Sequence, residues 1–210
     1  MKTRIFEAAQ MTRQDKEELS RALSAGAVAV LPTDTVYGLG TGGNRERGIQ
    51  TIYRLKNRPA TSPLPLLSGG TEQVHPWAQF SPQAERLAAR FWPGALTLIL
   101  PPTEDGLVLA RGFTGLGFRV PGYAFLVELL QGMSVPMACT SANLHGQPVI
   151  TDEHILVETF NGQVDYIVRA GTLSPVASSV VDLTAQPRLL REGALTRTVL
   201  ENVLDCPFAN

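Results

Sequence analysis

Apolar positions recur along the chain in two periods, and the switches between them outline the elements. Thr12 with Asp15 offers a cap for a helix running to about Ser24, stopped at Gly26. Ala27 to Leu31 is apolar and continuous, a buried strand that ends at Pro32. After Asn44, read as a second cap, Ile49, Ile52, Tyr53 and Leu55 fall at helical spacing. Pro59 prevents that helix from continuing, so Lys56 and Arg58 sit at or just past its end. Pro63 to Leu67 is a short strand. Ser81-Pro82 opens a helix through Phe91 with proline at its first position, and Trp92-Pro93-Gly94 breaks it. Ala95 to Leu100 returns as a strand, and residues 103–115 read as a glycine-rich loop. Further on come a strand at Leu116 to Val120, a helix at Tyr123 to Leu130 and a strand at Val135 to Thr140. A helix at Glu153 to Phe160 precedes strands at Asp165 to Arg169, Ser179 to Leu183 and Arg188 to Arg191. This alternation predicts one domain of mixed α/β type over residues 1–210, built around a twisted sheet. Strand order and direction are not legible.

Length and composition narrow the function classes. A chain of 210 residues supports one sizeable core. With 44% hydrophobic and 18% charged residues it reads as an ordinary globular protein. A net charge of −1 gives no bulk electrostatic case for nucleic-acid or membrane partners, so any cationic function must come from local clustering. Cys139 and Cys206 make no disulfide framework and no CxxC pair. The start has no apolar secretory segment, and no apolar run approaches a membrane span, Ala95 to Leu100 included. A cytoplasmic location is the expectation.

Several familiar motifs fail on inspection. Gly38-Leu-Gly40-Thr-Gly-Gly43 fits the dinucleotide fingerprint, which also needs an acidic residue roughly 20 positions on. Residues 47–71 hold no Asp or Glu, and glycines required by a tight turn explain the run equally well. No P-loop is present, and Ser141 lacks a nucleophile elbow. His75, His145 and His154 are scattered and read as surface or loop residues, while Cys139, inside an apolar strand, reads as a packed thiol. Lys56 and Arg58 taken alone could simply complement a helix dipole. Arg119 and Arg191 at strand ends change that balance, because guanidinium groups on apolar strands call for anionic partners.

Together these pieces resemble the YrdC/Sua5 family. The resemblance rests on Pro32-Thr-Asp-Thr-Val-Tyr-Gly-Leu-Gly40, Lys56-x-Arg58-Pro with Pro63-Leu64, Trp92-Pro-Gly94 and Phe118-Arg-Val-Pro121. It continues through Thr140-Ser-Ala-Asn143, Ser178-Ser-Val-Val-Asp182 and Arg191-Glu-Gly193, so it covers about residues 15–195. The resemblance implies a YrdC-like single domain, a large twisted mixed sheet flanked by helices around a concave cleft. It implies L-threonylcarbamoyladenylate synthesis from L-threonine, bicarbonate and ATP. The product would pass to the tRNA threonylcarbamoyl transferase complex for N6-threonylcarbamoyladenosine modification. Lys56 and Arg58 would be catalytic, acting on the triphosphate, and ATP would also meet Ser62, Thr140, Ser141, Asn143 and Arg191. Thr35, Arg119 and Ser178 would hold L-threonine. Mg²⁺ would ride on the phosphates with few protein ligands, since no acidic cluster is evident. The intact Lys56, Arg58, Ser141 and Asn143 set separates the chain from the YciO branch, which Arg191-Glu-Gly193 slightly resembles. Leu66-Leu67-Ser68 stands where longer members carry a histidine, and Gly115 where a small hydroxyl residue is common. The alternative is a translation-associated module of the same fold binding tRNA or double-stranded RNA weakly, without this activity. A third comparison, the carbamoyl-transfer module of hydrogenase maturation proteins, lacks its neighbouring segments here.

Overall fold

The computed structural model describes residues 2–57, 59, 61–144, 146–173 and 176–209; Arg58 and His145 lie outside these. The strands are β1 (Arg4–Glu7), β2 (Ala29–Leu31), β3 (Gly38–Gly42), β4 (Leu66–Leu67) and β5 (Leu96–Leu100). They continue with β6 (Leu116–Arg119), β7 (Met137–Ser141), β8 (Tyr166–Arg169), β9 (Ser179–Asp182) and β10 (Arg188–Arg191). All join one sheet in the order β1-β8-β2-β3-β7-β4-β6-β5-β9-β10. Four pairs are parallel (β1 with β8, β2 with β8, β4 with β6, β5 with β9) and the others are antiparallel, so the sheet is mixed as expected.

The helices are α1 (Arg13–Ser24), α2 (Glu46–Lys56), α3 (Pro82–Phe91), α4 (Leu107–Ala110), α5 (Ala124–Gln131), α6 (Glu153–Phe160) and α7 (Arg197–Leu204). Alternate residues of β2 separate their packing: Ala29 and Leu31 join Leu19, Leu23 and Leu126 of α1 and α5, whereas Val30 joins Ile52 of α2 and Leu156 of α6. Likewise Leu66 packs with the α2 and α3 side and Leu67 with the α1 and α5 side. Helices α2, α3, α4, α6 and α7 therefore cover one face. Among the described residues α1 and α5 are the helices on the other face, and they leave part of it open.

The caps follow local chemistry. Thr12 and Asp15 form a reciprocal capping box, and Ser81 caps α3 with Pro82 at its first position. Three expectations need correction. Arg45, not Asn44, occupies the N-cap of α2 and makes no side-chain capping bond. The 103–115 loop contains α4, one turn opened through Gly106. Most consequentially, Gly38–Gly42 is a buried strand rather than a turn, and none of its glycines has a positive φ. Their role is close approach. A Cβ at Gly38 would lie 2.5 Å from Cys139 Sγ, and one at Gly40 would lie 2.7 Å from Met137 Sδ.

The same tightness seats α2, the helix that ends at Lys56. Alanine is ordinarily favoured over glycine in a helix by about 1 kcal/mol. At Gly48, however, a Cβ would lie 2.1 Å from Thr41 Oγ1 and 2.9 Å from the Gly26 carbonyl oxygen. Gly48→Ala is therefore expected to destabilise by about 1–3 kcal/mol, lowering the urea midpoint. A raised midpoint would contradict this packing.

Candidate active site

The open part of the sheet is hollow because of what its strands place there. On β5, Leu96, Leu98 and Leu100 point into the core, so Thr97 and Ile99 face the opposite way. On β6, Leu116 and Phe118 are core residues, which leaves Gly117 and Arg119 on the open face with Gly115 just before the strand. The two glycines supply floor without bulk. The result is an open cavity of about 430 Å³ that also receives Thr35, Leu67, Cys139, Thr140, Ser141, Ser178 and Arg191. None of its described lining residues is Asp or Glu.

Arg119 anchors one end of the cavity. Its Nε donates to the Gly94 carbonyl at 2.9 Å, Nη1 to Thr35 Oγ1 at 3.0 Å, and Nη2 to Asp34 Oδ1 at 2.5 Å. Both members of the ion pair are largely buried, with side chains 8% and 17% exposed. The Pro32-Thr-Asp-Thr turn is organised by Thr33, whose Oγ1 donates to the Val36 carbonyl and accepts from the backbone N–H groups of Thr35 and Val36. A guanidinium has five N–H bonds, so one remains on each terminal nitrogen of Arg119 after these three contacts.

At the other end, Arg191 donates from Nε to the Ser178 carbonyl (2.9 Å) and from Nη2 to Ser178 Oγ (3.0 Å). Although Arg191 counts as an exposed residue, partial burial of its guanidinium and repulsion from Arg119 hold its pKa below the usual value. It stays a cation at neutral pH. Asp34 offsets the charge of Arg119, so Arg191 is the cation in excess over a lining without carboxylates, and with the remaining Arg119 N–H groups it suits an anion. The chain ahead of Ser178 is held by Tyr37, whose hydroxyl donates to the Gly171 carbonyl (2.7 Å) and accepts from Ala170 N–H (2.9 Å). Burial pushes that phenol above its usual pKa.

Lys56, expected to act on the triphosphate, is tied to the loop after β7. It is 2% exposed, and its ammonium donates to Ser141 O (2.6 Å), Asn143 O (2.8 Å) and Asn143 Oδ1 (2.9 Å). Asn143 Oδ1 also accepts from Ser141 Oγ, while its amide donates to the carbonyls of Leu144 and Gln147. Lys56 and Asn143 together fix the loop after β7 and thereby aim Ser141 into the cavity. Ser62 is half-buried, and its carbonyl accepts from the Tyr53 hydroxyl at 2.9 Å.

Of the expected site residues, Thr35, Arg119, Thr140, Ser141, Ser178 and Arg191 line one cavity. Lys56, Asn143 and Ser62 are not among its described lining residues, and Arg58 is outside the described residues. Cys139 is buried beside the floor with its thiol pushed up to about 12 by burial, which makes it inert at neutral pH. His75 and His154 are exposed. Sequence reasoning passed over Asp34 and Thr97. Asp34 stood inside a motif already singled out, and Thr97 was the only hydroxyl interrupting Leu96-Thr-Leu-Ile-Leu100.

A mixed α/β fold with a hollowed sheet face, two guanidiniums and several hydroxyls defines a protein with a cleft suited to small anionic groups. More specifically, the chain belongs to the Sua5/YciO/YrdC family, whose model, described as "Telomere recombination", matches residues 21–193. A relative from Pyrococcus abyssi (strain GE5 / Orsay), named threonylcarbamoyl-AMP synthase, is 39% identical over 183 residues. The match takes in 85% of this chain and 54% of the relative, so this chain spans about half of that relative's length. The structure of P. abyssi Sua5 complexed with L-threonine has a TM-score of 0.87 at 34% identity, covering 96% of this chain and 61% of that one. E. coli YciO matches with a TM-score of 0.81 at 26% identity, covering 91% and 96%.

Proposed function

We propose that this cavity makes L-threonylcarbamoyladenylate from L-threonine, bicarbonate and ATP, releasing pyrophosphate. The observation that carries this function is the pair of guanidinium ends in one cleft: Arg119 with Thr35, and Arg191 with Ser178. Support also comes from the relative named for this activity and from the related structure with L-threonine.

In this scheme the threonine amine is carboxylated by bicarbonate with loss of water. A carbamate oxygen then attacks the α-phosphorus of ATP as the bond to the β-phosphate oxygen breaks. Both reactants are anions, and the site lowers their repulsion with fixed cations and aligns them in line. The remaining N–H groups of Arg119 take the threonine carboxylate, with Thr35 and Ser178 as hydroxyl partners. Arg191, Ser141, Thr140 and Ser62 serve the nucleotide, with Arg58 on the triphosphate. Lys56 and Asn143 act by holding the Ser141 loop. Mg²⁺ fits as a companion of the nucleotide rather than a protein-held ion. No described lining residue is a carboxylate, and no three His, Cys, Asp or Glu side chains cluster among the described residues. The metal's part is to neutralise charge on the phosphates. The product, a carbamic–phosphoric anhydride, is destined for the tRNA threonylcarbamoyl transferase complex in the cytoplasm. No helix among the described residues is long and apolar enough to cross a membrane.

Carbon-labelled bicarbonate should enter a nucleotide product only when threonine is present. An adenylate lacking that carbon would contradict the scheme. Serine, one methyl smaller, should be used about 10–200-fold less well, whereas valine, lacking the hydroxyl, should be rejected by roughly 10⁴-fold. Comparable turnover of valine and threonine would remove the hydroxyl-recognition role of Thr35 and Ser178.

A further inference from the structure

Thr97 is a hydroxyl on the cleft floor without a task in the scheme above. It is 4% exposed, and Leu96 and Leu98 beside it on β5 are fully buried. Its methyl group packs toward Gly117, 3.6 Å from the position of a Cβ there, and its Oγ1 lies 3.0 Å from Ser178 Oγ. A buried hydroxyl needs a hydrogen-bonding partner, and the structure gives Thr97 that one.

The proton count at Ser178 makes the contact functional. A serine hydroxyl has one proton and two lone pairs. Arg191 Nη2 donates into one lone pair, and Thr97 Oγ1 takes one of the two positions left, either the second lone pair or the proton. If Ser178 donates to Thr97, it presents only a lone pair to the cleft, and an anion there is repelled. If Thr97 donates, both lone pairs of Ser178 are filled and its own proton points to the ligand. Carboxylate, carbamate and phosphate oxygens accept hydrogen bonds and do not donate them, so only the second arrangement suits the proposed substrates.

We infer that Thr97 is a positioning residue whose hydroxyl donates to Ser178 and so makes Ser178 a hydrogen-bond donor to the bound threonine. The role rests on the proposed function, and it places the junction of the threonine and nucleotide subsites at the Thr97–Ser178–Arg191 chain.

The test compares Thr97→Val, an isostere without the hydroxyl, with Thr97→Ser, which keeps it. Thr97→Val should raise the KM for threonine about tenfold, leave the KM for ATP within about twofold, and Thr97→Ser should restore most of the loss. In a double-mutant cycle, Thr97→Val should add little once Ser178→Ala has removed the donor. A merely structural role would shift both KM values together and would not depend on Ser178. Wild-type turnover separates the two levels. Its absence overturns the proposed function and this role with it. Turnover with an unaltered threonine KM in Thr97→Val, or an effect fully additive with Ser178→Ala, overturns the role alone.

Discussion

Lys56→Ala should lose roughly 10²–10³-fold in activity and be measurably less stable, although its far-UV spectrum should change little. The stability loss follows from burial. Lys56 donates to two backbone carbonyls and the Asn143 side chain; alanine removes all three bonds and leaves the Asn143 carbonyl without this donor. A buried acceptor deprived of its partner costs about 1–3 kcal/mol. The activity loss follows from geometry, because displacing a binding loop by about 1 Å can cost roughly 10²-fold. Urea unfolding read beside kinetics separates this from direct phosphate binding. A variant with wild-type stability but lost activity would put the ammonium in the cleft, contrary to the hydrogen bonds described above.

Arg119→Lys should raise the KM for threonine by roughly 10–100-fold, with the KM for ATP little changed. Lysine preserves the charge opposite Asp34 but has no planar fork, and it cannot satisfy Gly94, Thr35 and Asp34 together while offering further donors to a carboxylate. Hydrogen bonds to charged groups are worth about 1.5–3 kcal/mol, which sets that range. Arg119→Ala should be worse in another way. It strands the Asp34 carboxylate, and breaking a buried pair costs about 3–5 kcal/mol. If ATP affinity fell instead and threonine affinity held, Arg119 would belong to the nucleotide subsite.

Much of this architecture was legible before any coordinates, and the failures have specific causes. α3 and α6 match their expected spans, because Ser81-Pro82 punctuates the first and the apolar spacing brackets the second. β3 was misread because glycine runs usually signal turns. The informative pattern was its period of two, with Gly38, Gly40 and Gly42 on one side and Leu39 and Thr41 on the other. β1 and α7 were missed. β1 is an edge strand of only four residues, and its pairing with β8 is remote in sequence. In the site, ordered motifs singled out hydroxyls and guanidiniums that line one cavity. They could not reveal that Lys56 turns onto the Ser141 loop or that Asp34 already neutralises Arg119. Both depend on contacts between residues 85 positions apart in the chain.

The most direct measurement is pyrophosphate release by the purified protein in an omission series. ATP, Mg²⁺, L-threonine and bicarbonate together should give turnover, and removing any one should return the rate to background. Arg58→Ala should reduce the full reaction roughly 10²–10³-fold, as expected for loss of one preorganised donor. Pyrophosphate release that ignores threonine, or tight tRNA binding by a protein that releases none under any of these conditions, would contradict the assignment.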